Sequence, residues 1–224
     1  SVREALLHAA VTGWNVKLEL KKIDAENLET DTDISSHFAD IDGLVVPDSY
    51  GQRGFLGMLA AVRYAREHNI PFLGINFGMQ LMAIEAARNL LHWEDADSTE
   101  FVQQSEHPVI SLPEEQLGLV AAGIIKLGAS SVNIKKDSKL SAIYGGAEKI
   151  SERHRSKYAF DNRYKDDMEK VGLAVTASAD DGITEAFEWQ NHPWGIGVQY
   201  QPEFVSRPTK PHPLFTAFIG AVLQ

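Results

Sequence analysis

The sequence predicts an α/β fold: a mostly parallel twisted sheet with helices on both faces. Three observations carry this. Short apolar runs alternate with amphipathic stretches along most of the chain, the pattern of strands joined by crossover helices. Two runs, residues 41–46 and 70–75, are largely apolar, as strands buried on both faces are. The second leads straight into Gly74-Ile75-Asn76-Phe77-Gly78, a Gly-x-Nuc-x-Gly punctuation that turns a strand sharply into a helix.

The elements follow in order. Residues 1–13, with Glu4 and His8 among apolar positions, read as an amphipathic helix stopped at Gly13 and not as a signal peptide. Residues 16–20 alternate as a short strand. A doubly wound sheet usually begins with a strand, so the reading places an N-terminal strand outside these 224 residues, since its loss would leave unpaired edges. Residues 41–46 form a buried strand halted by Pro47. Residues 54–69, with Phe55, Leu59, Val62 and Ala65 on one side, read as a helix. Residues 70–75 are the next strand and 78–91 the next helix. The second half is richer in strands, at 123–127, 173–178, 183–189 and 195–200, with Asp180-Asp181-Gly182 as a turn between two of them. Residues 214–223 close the chain as a helix. No repeat, low-complexity tract or linker divides residues 1–224, which read as a single domain.

Composition narrows the function classes. The formal charge is −10, with 31 acidic against 21 basic residues, which argues against nucleic acid and anionic membranes as partners. No apolar run approaches the roughly 18 residues of a membrane span, and a cytoplasmic protein is the expectation. The chain has no cysteine, so disulfides and thiolate metal sites are excluded. The 8 histidines show no His-x-x-x-His spacing. No cofactor is expected.

Several segments together resemble the glutamine amidotransferase domain of CTP synthase, a class I (triad) amidotransferase. They are Ser1-Val2-Arg3-Glu4-Ala5-Leu6 with His8-Ala9, Asp42-Gly43-Leu44-Val45-Val46-Pro47, the Gly74–Gln80 turn, Asp97-Ser98-Thr99-Glu100-Phe101, Ile150-Ser151-Glu152-Arg153-His154-Arg155 with Tyr158, and Gln199-Tyr200-Gln201-Pro202-Glu203-Phe204. The resemblance runs in order over nearly the whole chain and implies a flavodoxin-like class I glutamine amidotransferase fold. It places the family's nucleophile at Asn76, its general base at Gln201 and its third triad member at Glu203. Its oxyanion loop falls on Asp48, Ser49, Tyr50 and Gly51, with Arg53 and Gly54 positioning that loop. Gln80, Glu100, Arg155 and Lys157 fall at or beside positions that hold the substrate amino acid.

The departures fall on the chemistry. The family has Cys where this chain has Asn76, His where it has Gln201, Gly-Gly-Phe-Gly where it has Asp48-Ser49-Tyr50-Gly51, and Arg where it has Lys157. An amide nitrogen with a delocalised lone pair cannot replace a thiolate, and Gln does not titrate near neutrality and cannot serve as a base. Loss of such a nucleophile costs on the order of a millionfold in serine hydrolases. A carboxylate at Asp48 would repel the negative charge an oxyanion hole must stabilise. Lys157 lacks the planar fork that clamps a carboxylate.

Each residue also has a plainer reading. Asn76 suits a turn with positive φ. Gln201 is a neutral filler that keeps a hydrogen bond to Glu203, whose carboxylate is satisfied by backbone N–H groups. Gln80 lies on a helix surface, Glu100 pairs with a cation such as Arg155, and Arg53 is a helix-start surface charge. Asp48, Glu100 and Glu203 would suit a hard cation if they converged. Tyr50, Phe77, Trp194 and Tyr200 line either an aromatic pocket or the core.

Two functions follow. The first is a pseudoenzyme of the family, inactive as a glutaminase, that binds a small polar ligand, glutamine-like in character, or a synthetase-type protein partner. No Gly-x-x-x-x-Gly-Lys-Ser/Thr phosphate loop occurs in the chain itself. The second is a redeployed enzyme with a rebuilt pocket acting on another small polar substrate, with Asp48 or Glu203 as acid or base and Ser49 as a weak nucleophile; a carboxylate within about 3 Å of Ser49 or of a bound ligand supports it. A glutaminase with a non-Cys mechanism is disfavoured, because no substitute nucleophile or base stands at the matching positions.

Overall fold

The computed structural model describes residues 1–113 and 126–224. The chain opens with α1 (Val2–His8), which widens into a π-helical turn over Ala9–Gly13. Then come α2 (Ala25–Thr30), β1 (Leu44–Val46), α3 (Phe55–Glu67), β2 (Phe72–Ile75), α4 (Phe77–Asn89) and β3 (Ile110–Ser111). The second half comprises β4 (Lys126–Ile134), α5 (Lys139–Ile143), β5 (Lys149–Ser156), β6 (Ala159–Phe160), α6 (Lys165–Lys170), β7 (Leu173–Ala179), β8 (Thr184–Trp189), β9 (Gly195–Val198) and α7 (Pro213–Val222).

Seven strands form one sheet in the order β1-β2-β9-β8-β7-β4-β5. Side chains alternate across it. Phe72, Val175, Phe187 and Trp189 pack with α3, α4 and α6 on one face, and Leu73, Ile75, Ala186, Ile196 and Val198 pack with α1, α5 and α7 on the other. The expected α/β architecture with helices on both faces therefore stands.

The expected strand direction does not. Only β1–β2 and β2–β9 run parallel, while β9–β8, β8–β7, β7–β4 and β4–β5 are antiparallel. Connection length accounts for the β7–β8 and β8–β9 ladders. A parallel return needs a crossover of a dozen or more residues. Asp180-Asp181-Gly182 joins β7 to β8 as a tight turn, with Gly182 at φ +86°. Only residues 190–194 join β8 to β9. The helix α3 carries the chain from β1 to its parallel neighbour β2, and β9 joins the parallel pair from the far end of the chain.

Two further expectations change. Residues 16–20 form no strand: Val16 and Leu18 turn inward onto the core, as the alternation predicts, but no neighbouring strand among the described residues supplies a ladder. The strand expected at 123–127 falls largely outside the described residues, and β4 begins at Lys126. The long strand at 149–156 lies in a segment that carried family motifs but no clean alternation. No helix of the described residues is long and apolar enough to cross a membrane.

Backbone crowding fixes the centre of the sheet. A Cβ on Gly78 would lie 2.1 Å from the Val46 carbonyl oxygen, and one on Gly74 would lie 2.7 Å from Gly78 backbone atoms. Strand β1, strand β2 and the start of α4 thus meet backbone to backbone, which only glycine allows. Replacing Gly78 with Ala is expected to destabilise the fold by about 3 kcal/mol or more, read as a lowered urea midpoint. A change below about 1 kcal/mol would show that the approach of β1 to α4 can relax.

Candidate functional site

The sharp turn predicted at Gly74–Gly78 is present. Strand β2 ends at Ile75, α4 begins at Phe77, and Asn76 between them has φ 47° and ψ −97°. This lies outside the ordinary left-handed well and costs on the order of 1–3 kcal/mol. The Asn76 N–H holds the turn to the sheet by donating to the Val198 carbonyl at 2.7 Å. Asn at this position thus serves the backbone, as its tolerance of positive φ suggested.

The Asn76 side chain is buried and fully engaged. Its Nδ2 donates to Asp48 Oδ1 at 2.8 Å and to the Arg155 carbonyl at 3.3 Å. Its Oδ1 accepts from Gln199 Nε2 at 2.7 Å, with Gln80 Nε2 at 3.5 Å. Both glutamines also donate to the Tyr158 carbonyl, at 3.1 and 3.0 Å. Gln80 is therefore a buried brace of the turn and not a helix-surface residue, and it also lines the cleft in front. Gln199 went unrecognised in the sequence. The period-2 alternation of its strand could have found it, because it puts Gln199 and Gln201 on one side.

Asp48 closes the front of this cluster. The loop after β1 carries its half-buried carboxylate over the start of α4. There it meets Asn76 and, at 3.3 Å, Gln201 Nε2. Burial pushes its pKa above the usual carboxylate range, opposed by Gln201, Tyr50, Asn76 and the Phe77 backbone N–H. That N–H belongs to the residue following the turn, the position that supplies an oxyanion donor in nucleophile elbows. The helix dipole also favours an anion there. The carboxylate of Asp48 thus faces the start of α4 at that N–H.

Gln201 is fully buried and does not act as a filler against Glu203. Its Oε1 accepts from the Arg155 N–H at 2.7 Å and its Nε2 donates to the Arg155 carbonyl at 2.9 Å, so the amide extends the β5 ladder by one rung. The reason is the short 3-10 turn Pro202–Phe204, which separates the two side chains. The Glu203 carboxyl oxygen Oε2 is buried without a partner, so the expected backbone satisfaction is incomplete. Burial raises its pKa to about 7; its own backbone N–H opposes this and the negative charge of Asp48 adds to it.

In front of the turn lies a cleft of about 120 Å³, lined by Asp48, Ser49, Tyr50, Asn76, Phe77, Gln80, Glu100, Arg155, Ser156, Lys157 and Tyr158. Most of the sequence-predicted site residues converge there; Gln201, Glu203 and Gly51 do not line it. Glu100 is exposed as a residue, but its carboxyl is set into the cleft, where burial raises its pKa against the pull of Lys157 and the Gly51 N–H. Its nearby cation is Lys157 and not Arg155, which instead lies 5.5 Å from the Tyr50 ring centroid.

The other candidates separate from the cleft. Arg53 pairs with Glu26 of α2 at 2.8 Å on the exposed surface, and Gly54 takes φ +70° at the start of α3. Tyr200 and Trp194 are core residues against α7. No carboxylate of the described residues bonds the Ser49 hydroxyl. Among the described residues no three His, Cys, Asp or Glu side chains are grouped to hold a metal ion. A wider depression of about 640 Å³ lies around Arg88, Trp93, Asp95 and His107. It contains none of the predicted site residues, and two of its carboxylates are spent on neighbours: Asp95 on the His107 ring at 2.7 Å and Asp97 on Arg88 at 2.6 Å.

Comparison with known proteins agrees with this geometry. The family model described as glutamine amidotransferase class-I matches residues 1–221. A CTP synthase of Fibrobacter succinogenes is 43% identical over 228 residues, covering 100% of this chain and 40% of the relative. A CTP synthase of Nitrobacter winogradskyi is 44% identical over 234 residues, covering 100% and 42%. The chain thus spans about two fifths of the length of these curated relatives. Among solved structures, the glutaminase domain of the Trypanosoma brucei CTP synthase with bound acivicin superposes with a TM-score of 0.93 at 33% identity, over 99% of this chain and 86% of that one. A glutamine amidotransferase from Methylobacillus flagellatus shares the fold alone, with a TM-score of 0.53 at 12% identity over 88% and 64% of the two chains.

Proposed function

This chain belongs to the class I glutamine amidotransferase family, and from that premise we propose that it does not hydrolyse glutamine and works instead by binding a small polar ligand, in association with a synthetase-type partner. The observation that carries the proposal is the state of the elbow. At the family's nucleophile position stands an amide whose donors and acceptor are all engaged, with the Asp48 carboxylate across its front. The base position is committed to the Arg155 backbone. Neither group can attack a carboxamide or carry a proton. The cleft nevertheless keeps opposed charges around a small volume, which suits binding. A synthetase-type partner corresponds to the part of the CTP synthases that this chain does not span.

Ammonia release from glutamine is the test. The expected rate is indistinguishable from the uncatalysed background, with and without a synthetase-type partner. Turnover of about 1 s⁻¹ or more, ordinary for an enzyme, overturns the proposal. A carboxylate bonded to the Ser49 hydroxyl would favour the redeployed-enzyme reading; among the described residues none is, and the binding reading is preferred.

A further inference from the structure

We infer that the cleft accepts a small diamino acid, of the ornithine or lysine type, with its side-chain ammonium on the Asp48 carboxylate. The inference rests on the reading above, that this is a binding site, and names the chemistry of its ligand.

Asp48 lines the cleft, and the groups that bond its carboxylate are all neutral: the Asn76 amide at 2.8 Å, the Gln201 amide at 3.3 Å, the Tyr50 hydroxyl and the Phe77 N–H; the further ionisable groups that feel its charge, Glu100 and Glu203, are acidic too. A half-buried carboxylate held only by neutral donors remains short of a counter-charge. The rim shows the opposite imbalance. Arg155 and Lys157 lie 5.5 and 5.2 Å from the ring centroids of Tyr50 and Tyr158. No carboxylate of the described residues makes an ion-pair contact with either. Glu100 sits beside Lys157 and can receive an α-ammonium while the two cations receive an α-carboxylate.

A ligand that satisfies both ends is a zwitterion at the rim and a cation at the floor. The volume, about 120 Å³, lies below the roughly 300–1,000 Å³ typical of drug-sized ligands and suits a single amino acid. Glutamine matches the rim but not the floor. Its carboxamide is neutral: turned to donate its NH2 to Asp48 it brings no counter-charge. The opposed charges therefore discriminate against an amide and favour an amine.

Isothermal titration and thermal shift on the full chain test this with L-ornithine, L-lysine, L-glutamine, L-norvaline and putrescine. Ornithine or lysine is expected to bind at least tenfold more tightly than glutamine or norvaline. Asp48→Asn should weaken ornithine binding roughly tenfold to a hundredfold, the range for a lost charged hydrogen bond. Lys157→Gln, on the exposed rim, should weaken ornithine but not putrescine, which keeps the test open if the Asp48 variant fails to fold. Equal binding of glutamine and ornithine, ornithine binding indifferent to Asp48→Asn, or no binding of either diamino acid overturns the inference. Ammonia release bears only on the earlier reading: a chain that releases none and binds no diamino acid keeps that reading and loses this one.

Discussion

The double variant Asn76→Cys, Gln201→His is expected to remain without measurable glutaminase turnover, and adding Asp48→Gly is expected to raise turnover at least a hundredfold above the double. The argument turns on what surrounds position 76. Asp48 Oδ1 lies 2.8 Å from the side-chain nitrogen there, so a thiol in its place would face a carboxylate at close range. A neighbouring negative charge raises a thiol's pKa and suppresses the thiolate that must attack. The same carboxylate lies against the Phe77 N–H and meets the developing oxyanion with repulsion where a donor is needed. Loss of one oxyanion donor alone costs about a hundredfold to a thousandfold. Gly at 48 removes the charge and frees the N–H. The new imidazole at 201 also loses the paired bonds that the Gln201 amide makes to Arg155, so the triple variant should stay well below an ordinary glutaminase. Ammonia release at saturating glutamine, measured on all three proteins, decides the matter. A double variant as active as the triple would show that Asp48 is not the obstacle.

What could be read from the sequence follows the range of the forces involved. The elbow was legible because its signal is local and steric: Gly74 and Gly78 stand where a Cβ would strike backbone, and Asn76 tolerates the positive φ between them. The β7–β8 turn was legible for the same reason, since Gly182 supplies the φ that the hairpin needs. Strand direction was not. Alternating strands and helices suggested mostly parallel pairing, against the four antiparallel ladders that β4, β5, β7, β8 and β9 form. The charged rim of the cleft was legible through the resemblance, because Glu100 and Lys157 lie at matching positions. Partner choice inside the cluster was not. Gln201 and Glu203 are two residues apart, and sequence reasoning joined them, yet the turn at Pro202–Phe204 separates them and sends Gln201 to a strand remote in sequence. Hydrogen-bond partners across 46 residues depend on how β5 packs against that turn, which no local pattern encodes.

Glu203 is the residue most exposed by that separation, and its ionisation is expected to make the fold less stable as pH rises. Its pKa lies at about 7 in the folded protein against an ordinary 4.5. Burial is the main cause, and Oε2 has no partner to offset it. Below about pH 4.5 the carboxyl is protonated whether the chain is folded or not, and it contributes nothing to the pH dependence. Between 4.5 and 7 the unfolded chain gives up its proton while the folded chain keeps it, so stability falls as pH rises. Above 7 both states are ionised and the full cost remains, about 3 kcal/mol at roughly 1.4 kcal/mol per pH unit. Glu203→Gln keeps the shape and removes the charge. The variant may not be compared at one pH alone, since an amide in the same site brings its own unsatisfied donor; the telling quantity is the change in the stability gap. Urea denaturation of both proteins at pH 4.5, 6 and 8 should show the variant gaining on the parent steadily, by about 3 kcal/mol over the range. Parallel pH curves for the two proteins would mean that Glu203 finds a counter-charge or solvent in solution. The pH curve measures the cost of that orphaned carboxyl without reference to any catalytic assay.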